Sequence, residues 1–116
     1  MSRSTWHFQE EDGALVLARR LPVRFDLAVE AEMPRCGRHR LARKVRQDMW
    51  RALQGLRGFS PAVRVEPAGE MLRVTAGGQV DGVFPKARAE EKLREVLSDR
   101  NNRIRWVAYA GGFCYG

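Results

Sequence analysis

Few side chains in this chain combine the type and the spacing that bond-making chemistry needs. His7 and His39 are the two groups that titrate near neutrality. His39 stands among Arg38, Arg40 and Arg43, which discourage its protonation and make a base role conceivable. A surface histidine satisfied by its neighbours is the plainer reading. Cys36 precedes the same basic run, and such surroundings lower a thiol pKa. No base or oxyanion pair accompanies it, so it reads as a packing residue rather than a nucleophile. Glu90 and Glu91 are adjacent on an expected helix, point in different directions and cannot work as a carboxylate pair. Glu10, Glu11 and Asp12 read as the tip of a hairpin rather than as a metal cluster. The run Gly77-Gly78 to Gly82 precedes a helix, but it lacks the Lys-Ser/Thr pair or the regular glycine spacing of a phosphate-binding loop. Two cysteines, Cys36 and Cys114, are too few for a disulfide scaffold or a metal site of their own. The expectation is no catalytic constellation, no metal and no cofactor.

Charge is the strongest chemical signal. Of 21 bases in the chain, eight fall between residues 35 and 57, with Asp48 as the one acid, and this segment carries the whole net charge of +7. The eight are Arg35, Arg38, Arg40, Arg43, Lys44, Arg46, Arg51 and Arg57. Guanidinium presents a rigid fork matched to phosphate oxygens, whereas the lysine ammonium is a mobile point charge. Projected at helical spacing, Arg40, Arg43, Lys44 and Arg51 lie opposite the stripe of Leu41, Val45 and Leu53, with Arg46 and Arg57 on one flank. Trp50 projects away from that stripe as well. It is a platform on which an unpaired base could stack, or a side chain that packs under the amino-terminal segment.

The elements that would position these residues follow from periodicity. Val23 to Glu32 alternates apolar and polar positions as a half-buried strand does. Arg38 to about Leu56 switches to helical spacing, with Leu41, Val45, Met49, Ala52, Leu53 and Leu56 in one arc and Gly55 or Gly58 as the stop. Val63 to Glu66 and Leu72 to Ala76 alternate again around the turn Pro67-Ala68-Gly69-Glu70. Residues 77–82 read as a flexible connector. Pro85 opens a second helix with Ala89, Leu93, Val96 and Leu97 inward, and Arg103 to Ala110 reads as a last strand. The order is that of an α+β, ferredoxin-like β-α-β-β-α-β sandwich, a four-stranded antiparallel sheet with two helices on one face and its first strand central, beside the third. Residues 1–22, with Thr5 to Gln9 and Ala14 to Ala18 around Glu-Glu-Asp-Gly, form an amino-terminal hairpin or extension; 23–110 is a single domain and 111–116 a flexible tail.

With 116 residues, 44% hydrophobic and 30% charged, the chain suits one domain of ordinary soluble composition. No apolar run reaches the length of a membrane span, and residues 1–7 lack the apolar stretch of a secretory signal, so a reduced, cytoplasmic protein is expected. An RNA-recognition domain of this topology would display aromatics on its central strands, and Met71 to Ala76 carries none. The leading functional expectation is a small basic module that binds RNA or DNA backbone, or another polyanion, through Arg35, Arg38, Arg40, Arg43, Lys44, Arg46, Trp50, Arg51 and Arg57, with little base readout. The alternative is a homodimeric interaction or ligand-sensing module without nucleic-acid binding. It would use the amino-terminal hairpin or an open sheet face that includes Arg73, Arg105, Val107 and Tyr109.

Overall fold

The computed structural model describes residues 6–112. Thr5 of the expected hairpin, and Phe113 to Gly116 of the expected tail with Cys114 among them, lie outside the described residues. The elements run β1 (His7–Glu11), β2 (Ala14–Ala18), β3 (Leu27–Pro34), α1 (Arg38–Ala52), β4 (Phe59–Ala68), β5 (Met71–Val80), α2 (Lys86–Ser98) and α3 (Arg100–Tyr109). The strands make one antiparallel sheet in the order β1-β2-β4-β5-β3. The protein is therefore α+β, with five strands and three helices.

Register assigns the two faces. Phe8, Leu17, Val63, Ala76 and Val29 lie side by side across the sheet, as do Leu15, Val65, Val74 and Ala31. These rows, with Leu27, Met33 and Leu72, pack against Leu41, Val45 and Met49 of α1, Leu93 and Leu97 of α2, and Trp106 of α3. Each such side chain taken fully from water contributes about 1.5–3 kcal/mol. On the other face Arg64 lies beside Thr75 and Thr75 beside Glu30, while Arg73 stands between Glu66 and Glu32. Charges of both signs thus stand opposite one another across part of this face.

The structure departs from the expected fold in three places, and in the first the competition is between period two and period 3.6. The fourth strand does not exist: Arg100 to Tyr109 is helical. Asp99, which closes α2, also accepts from the Asn102 N–H at 2.9 Å and starts α3. The side chains of α3 that turn inward are Trp106, Val107 and Ala110, at helical rather than alternate spacing. The Asn102 amide donates to the Val96 carbonyl at 3.1 Å and the Arg103 guanidinium to the Leu97 carbonyl at 3.3 Å, so α3 caps the end of α2. With that strand absent, β3 pairs with β5 as expected but lies at the sheet edge, not in the middle, and the ferredoxin-like four-stranded order is not formed. The hairpin β1-β2 joins the opposite edge through β4.

The second departure is at residues 19–26. β2 and β3 sit on opposite sides of the β4-β5 pair, so the link between them must cross both. It crosses at the sheet end, where the Arg19 N–H donates to the Pro61 carbonyl, and the Asp26 N–H donates to that of Gly78. Val23 and Phe25 pack over Val16, Ala18 and Ala62, on the face away from the helices. The regular strand accordingly starts at Leu27, not at Val23.

The third concerns Gly77 and Gly78, which are not a flexible connector but part of β5. A side chain on Gly77 (φ 155°) would put its Cβ 1.8 Å from the Leu27 carbonyl oxygen, and one on Gly78 would meet that of Ser60 at 2.2 Å. Only glycine allows the neighbouring strands so close. Gly112 is not loose either, because its N–H donates to the Val107 carbonyl at 2.9 Å. Among the described residues no helix is long and apolar enough to cross a membrane.

Candidate functional site

Helix α1 is held by packing rather than by favourable ends. Leu41, Ala42, Val45 and Met49 are buried at helical spacing, whereas Gly37 at the amino terminus offers no side-chain cap and the first turn contains no acid. Arg38 and Arg40 sit at the positive end of the helix dipole, where bases destabilise. Their presence there calls for other partners.

Arg38 has them. Its guanidinium donates to Glu10 at 2.7 Å and to the Gly13 carbonyl at 3.1 Å, which ties the hairpin tip to α1. Arg35 donates to the Gly69 carbonyl at 2.7 Å. Both are fastened to the fold and are not available as the flanking contacts expected of them. Arg57 lies beyond the end of α1, in a different hollow. Arg40, Arg43, Lys44 and Arg51 do form one stripe along the outer face. Among the described residues no carboxylate lies within ion-pair distance of the first three, and Arg51 reaches Asp48 only at 3.9 Å. Asp48 is engaged elsewhere. It accepts from Trp106 Nε1 at 2.6 Å and from Arg105 at 2.9 Å, with its side chain 11% exposed.

Aromatic rings border the stripe on both sides. Lys44 Nζ lies 4.4 Å and Arg40 Cζ 5.8 Å from the Tyr109 ring centre. On the other side Arg43 Cζ lies 5.3 Å from the Phe8 ring and Arg46 Cζ 4.5 Å from the Trp6 ring. His39 packs its ring on Phe8 at 5.0 Å and faces no acid–base partner there. Cations over ring faces are attracted by the ring quadrupole, which keeps long side chains in place without neutralising them.

Trp50 is 44% exposed and stacks on Phe59, with ring centres 6.3 Å apart and planes 14° from parallel. With Trp6, Phe59, Pro61, Arg19 and Arg46 it lines a hollow of about 290 Å³. Arg46 Nε is buried in this region without a hydrogen-bond partner. Burial, and after it the neighbouring Arg43 charge, pull the Arg46 guanidinium below its ordinary pKa. It remains a cation at neutral pH.

Trp6, Phe8, Phe59 and Arg19 were not legible as site residues. The signal was present in part: Trp6 and Phe8 are two apart in extended chain and so share a side. What could not be read was that the hairpin edge lies beside α1. Conversely, the surface proposed for a subunit contact is not formed. Arg105, Val107 and Tyr109 are on α3, Val107 is buried and Arg105 is paired with Asp48, while Arg73 is across the molecule on β5. Cys36 is also corrected, since burial pushes its thiol up rather than down. Among the described residues no three His, Cys, Asp or Glu are placed to hold a metal ion. Comparison with protein families, with curated proteins and with solved structures finds no match for this chain.

Proposed function

We propose that this protein binds single-stranded nucleic acid along α1. Arg40, Arg43, Lys44 and Arg51 take successive phosphates, and an unpaired base stacks on Trp50 at the hollow shared with Trp6 and Arg46. The observation that carries this reading is a row of four cations, three of them without a carboxylate within ion-pair distance among the described residues and Arg51 with one only at 3.9 Å, bordered by a half-exposed tryptophan already stacked on a second ring. Phosphates meet forks and point charge, and a base meets a π-face, a combination that tolerates sequence. Recognition is by charge and stacking, with little reading of base edges. Arg105, Val107 and Tyr109 lie on α3 and not on a sheet face, so the reading as a homo-oligomeric module is left without that face as support.

The test is anisotropy of labelled RNA and DNA oligonucleotides, single-stranded and duplex. Arg43→Glu with Arg51→Glu should abolish binding and leave the fold intact. Trp50→Ala should weaken single strands roughly tenfold or more, since stacking is worth about 1–3 kcal/mol per base, and should leave weak duplex binding unchanged. Equal binding by parent and both variants defeats the proposal.

A further inference from the structure

A second hollow lies away from the α1 stripe, between the end of α1, the turn that follows it, residues 81–85 and the first turns of α2. Its volume is about 390 Å³, within the range of small-molecule sites. Leu53, Leu56, Phe84 and Ala89 supply an apolar lining. Leu53 and Ala89 belong to the buried core, and Leu56 and Phe84 are packed against it while remaining half-exposed. Val83, at the mouth, is fully exposed at 105%.

The charges around this lining have one available sign. Arg57, Arg88 and Lys92 stand at its edge, and among the described residues none of them has a carboxylate within ion-pair distance. The acid that borders the hollow is Asp81, and it is already taken: Gln79 donates to it at 2.9 Å, and Arg20 and Arg24 approach it at 3.4 and 3.9 Å. One wall is fixed by close packing, because a Cβ on Gly58 would meet the Asp81 carbonyl oxygen at 2.9 Å.

We infer that this hollow binds a small organic anion with an apolar body, a carboxylate or phosphate head on an alkyl or aryl group. The body rests on Leu56 and Phe84, where it covers apolar surface now in water, and the head meets Arg57, Arg88 and Lys92. A neutral ligand of the same shape would leave three cations unanswered, and a cationic one would be repelled. None of these residues belongs to the phosphate row on α1, so the inference stands independently of the nucleic-acid reading.

The experiment uses ¹⁵N-labelled protein titrated at constant ionic strength with octanoate, octyl phosphate, octan-1-ol and octylammonium. One of the two anions should shift the amides of Gly55, Leu56, Phe84 and Ala89 saturably and bind roughly tenfold or more tightly than the alcohol, about the value of one charge-assisted hydrogen bond. Arg88→Glu with Lys92→Glu should remove that advantage. Gly55→Trp should block the site, since a side chain at Gly55 meets nothing within 4 Å and points to no strain. Arg43→Glu should leave anion binding unchanged. Octanol binding as tightly as both anions, absence of saturable shifts, or an anion advantage that survives Arg88→Glu with Lys92→Glu would overturn the inference.

Discussion

Replacing Arg43 and Arg51 together by glutamine removes two of the four cations in the α1 row, and the consequence can be worked out as a slope. Binding to single strands releases counterions, so log K falls against log salt with a slope of about −0.7 per phosphate neutralised. Four contacts give about −2.8, and two give about −1.4. Between 50 and 200 mM salt the parent should then lose roughly 50-fold in affinity and the variant only about sevenfold. The assay is anisotropy of a labelled oligonucleotide of about twelve residues, long enough to pass both the row and Trp50. Stability should hardly change. Arg43 gives up a contact with the Phe8 ring at 5.3 Å and Arg51 a 3.9 Å approach to Asp48, with its own side chain 71% exposed. Such surface contacts together are worth about 1 kcal/mol or less. A salt slope unaltered by the two substitutions would refute the assignment of phosphates to these side chains, even if the protein binds nucleic acid elsewhere.

Three further outcomes follow from the geometry. Asp48→Ala leaves the fully buried Trp106 N–H without its 2.6 Å acceptor; this should cost about 1–3 kcal/mol and lower Tm by about 5 °C or more in a thermal melt, and an unchanged Tm would exclude that bond. Gly77→Ala should prevent native folding, seen as loss of amide dispersion, whereas Gly55→Ala should be neutral, because a Cβ at the first collides with Leu27 and at the second meets nothing. The hydrogen bonds from Arg24, and then from the Val80 N–H, hold the Asp26 carboxyl below its usual range. A carboxyl depressed in the folded state contributes its stability above the unfolded pKa and loses it as pH falls below about 4 and through the folded value; the advantage of the parent over Asp26→Asn, measured by denaturant melts, should therefore shrink across that acid range and not toward alkaline pH.

Where one period dominated, the chain was readable. Ala14 to Ala18, the hairpin turned at Gly69 and the buried rows of α1 and α2 appear where their spacing places them. Arg103 to Ala110 failed because Ile104, Trp106 and Ala108 alternate with Arg103, Arg105, Val107 and Tyr109 while Trp106, Val107 and Ala110 also make a helical face; the tie is broken by Asp99 and by tertiary burial, which a local pattern does not contain. For the site, the basic row was legible because charge and period coincide on one helix. The aromatic border was not, since it depends on the β1 edge and on α3 being brought to either side of α1.

The misread helix bears on the site itself. Asp48 is the sole acid among the bases of α1, and it could have neutralised Arg51 and weakened the field of the whole row. In a four-stranded sheet nothing of α3 would stand beside it. Because residues 100–109 are helical, Trp106 and Arg105 are presented to Asp48 and donate to one of its oxygens, while Tyr109 presents its ring to Lys44 and Arg40. Arg105 adds a base in the same place where it consumes an acid. The element that replaces the expected strand thus draws Asp48 toward Trp106 and Arg105, leaves it a 3.9 Å approach to Arg51, and supplies an aromatic border to Arg40 and Lys44. Among the described residues that coupling leaves Arg40, Arg43 and Lys44 with ring faces as neighbours and no carboxylate within ion-pair distance.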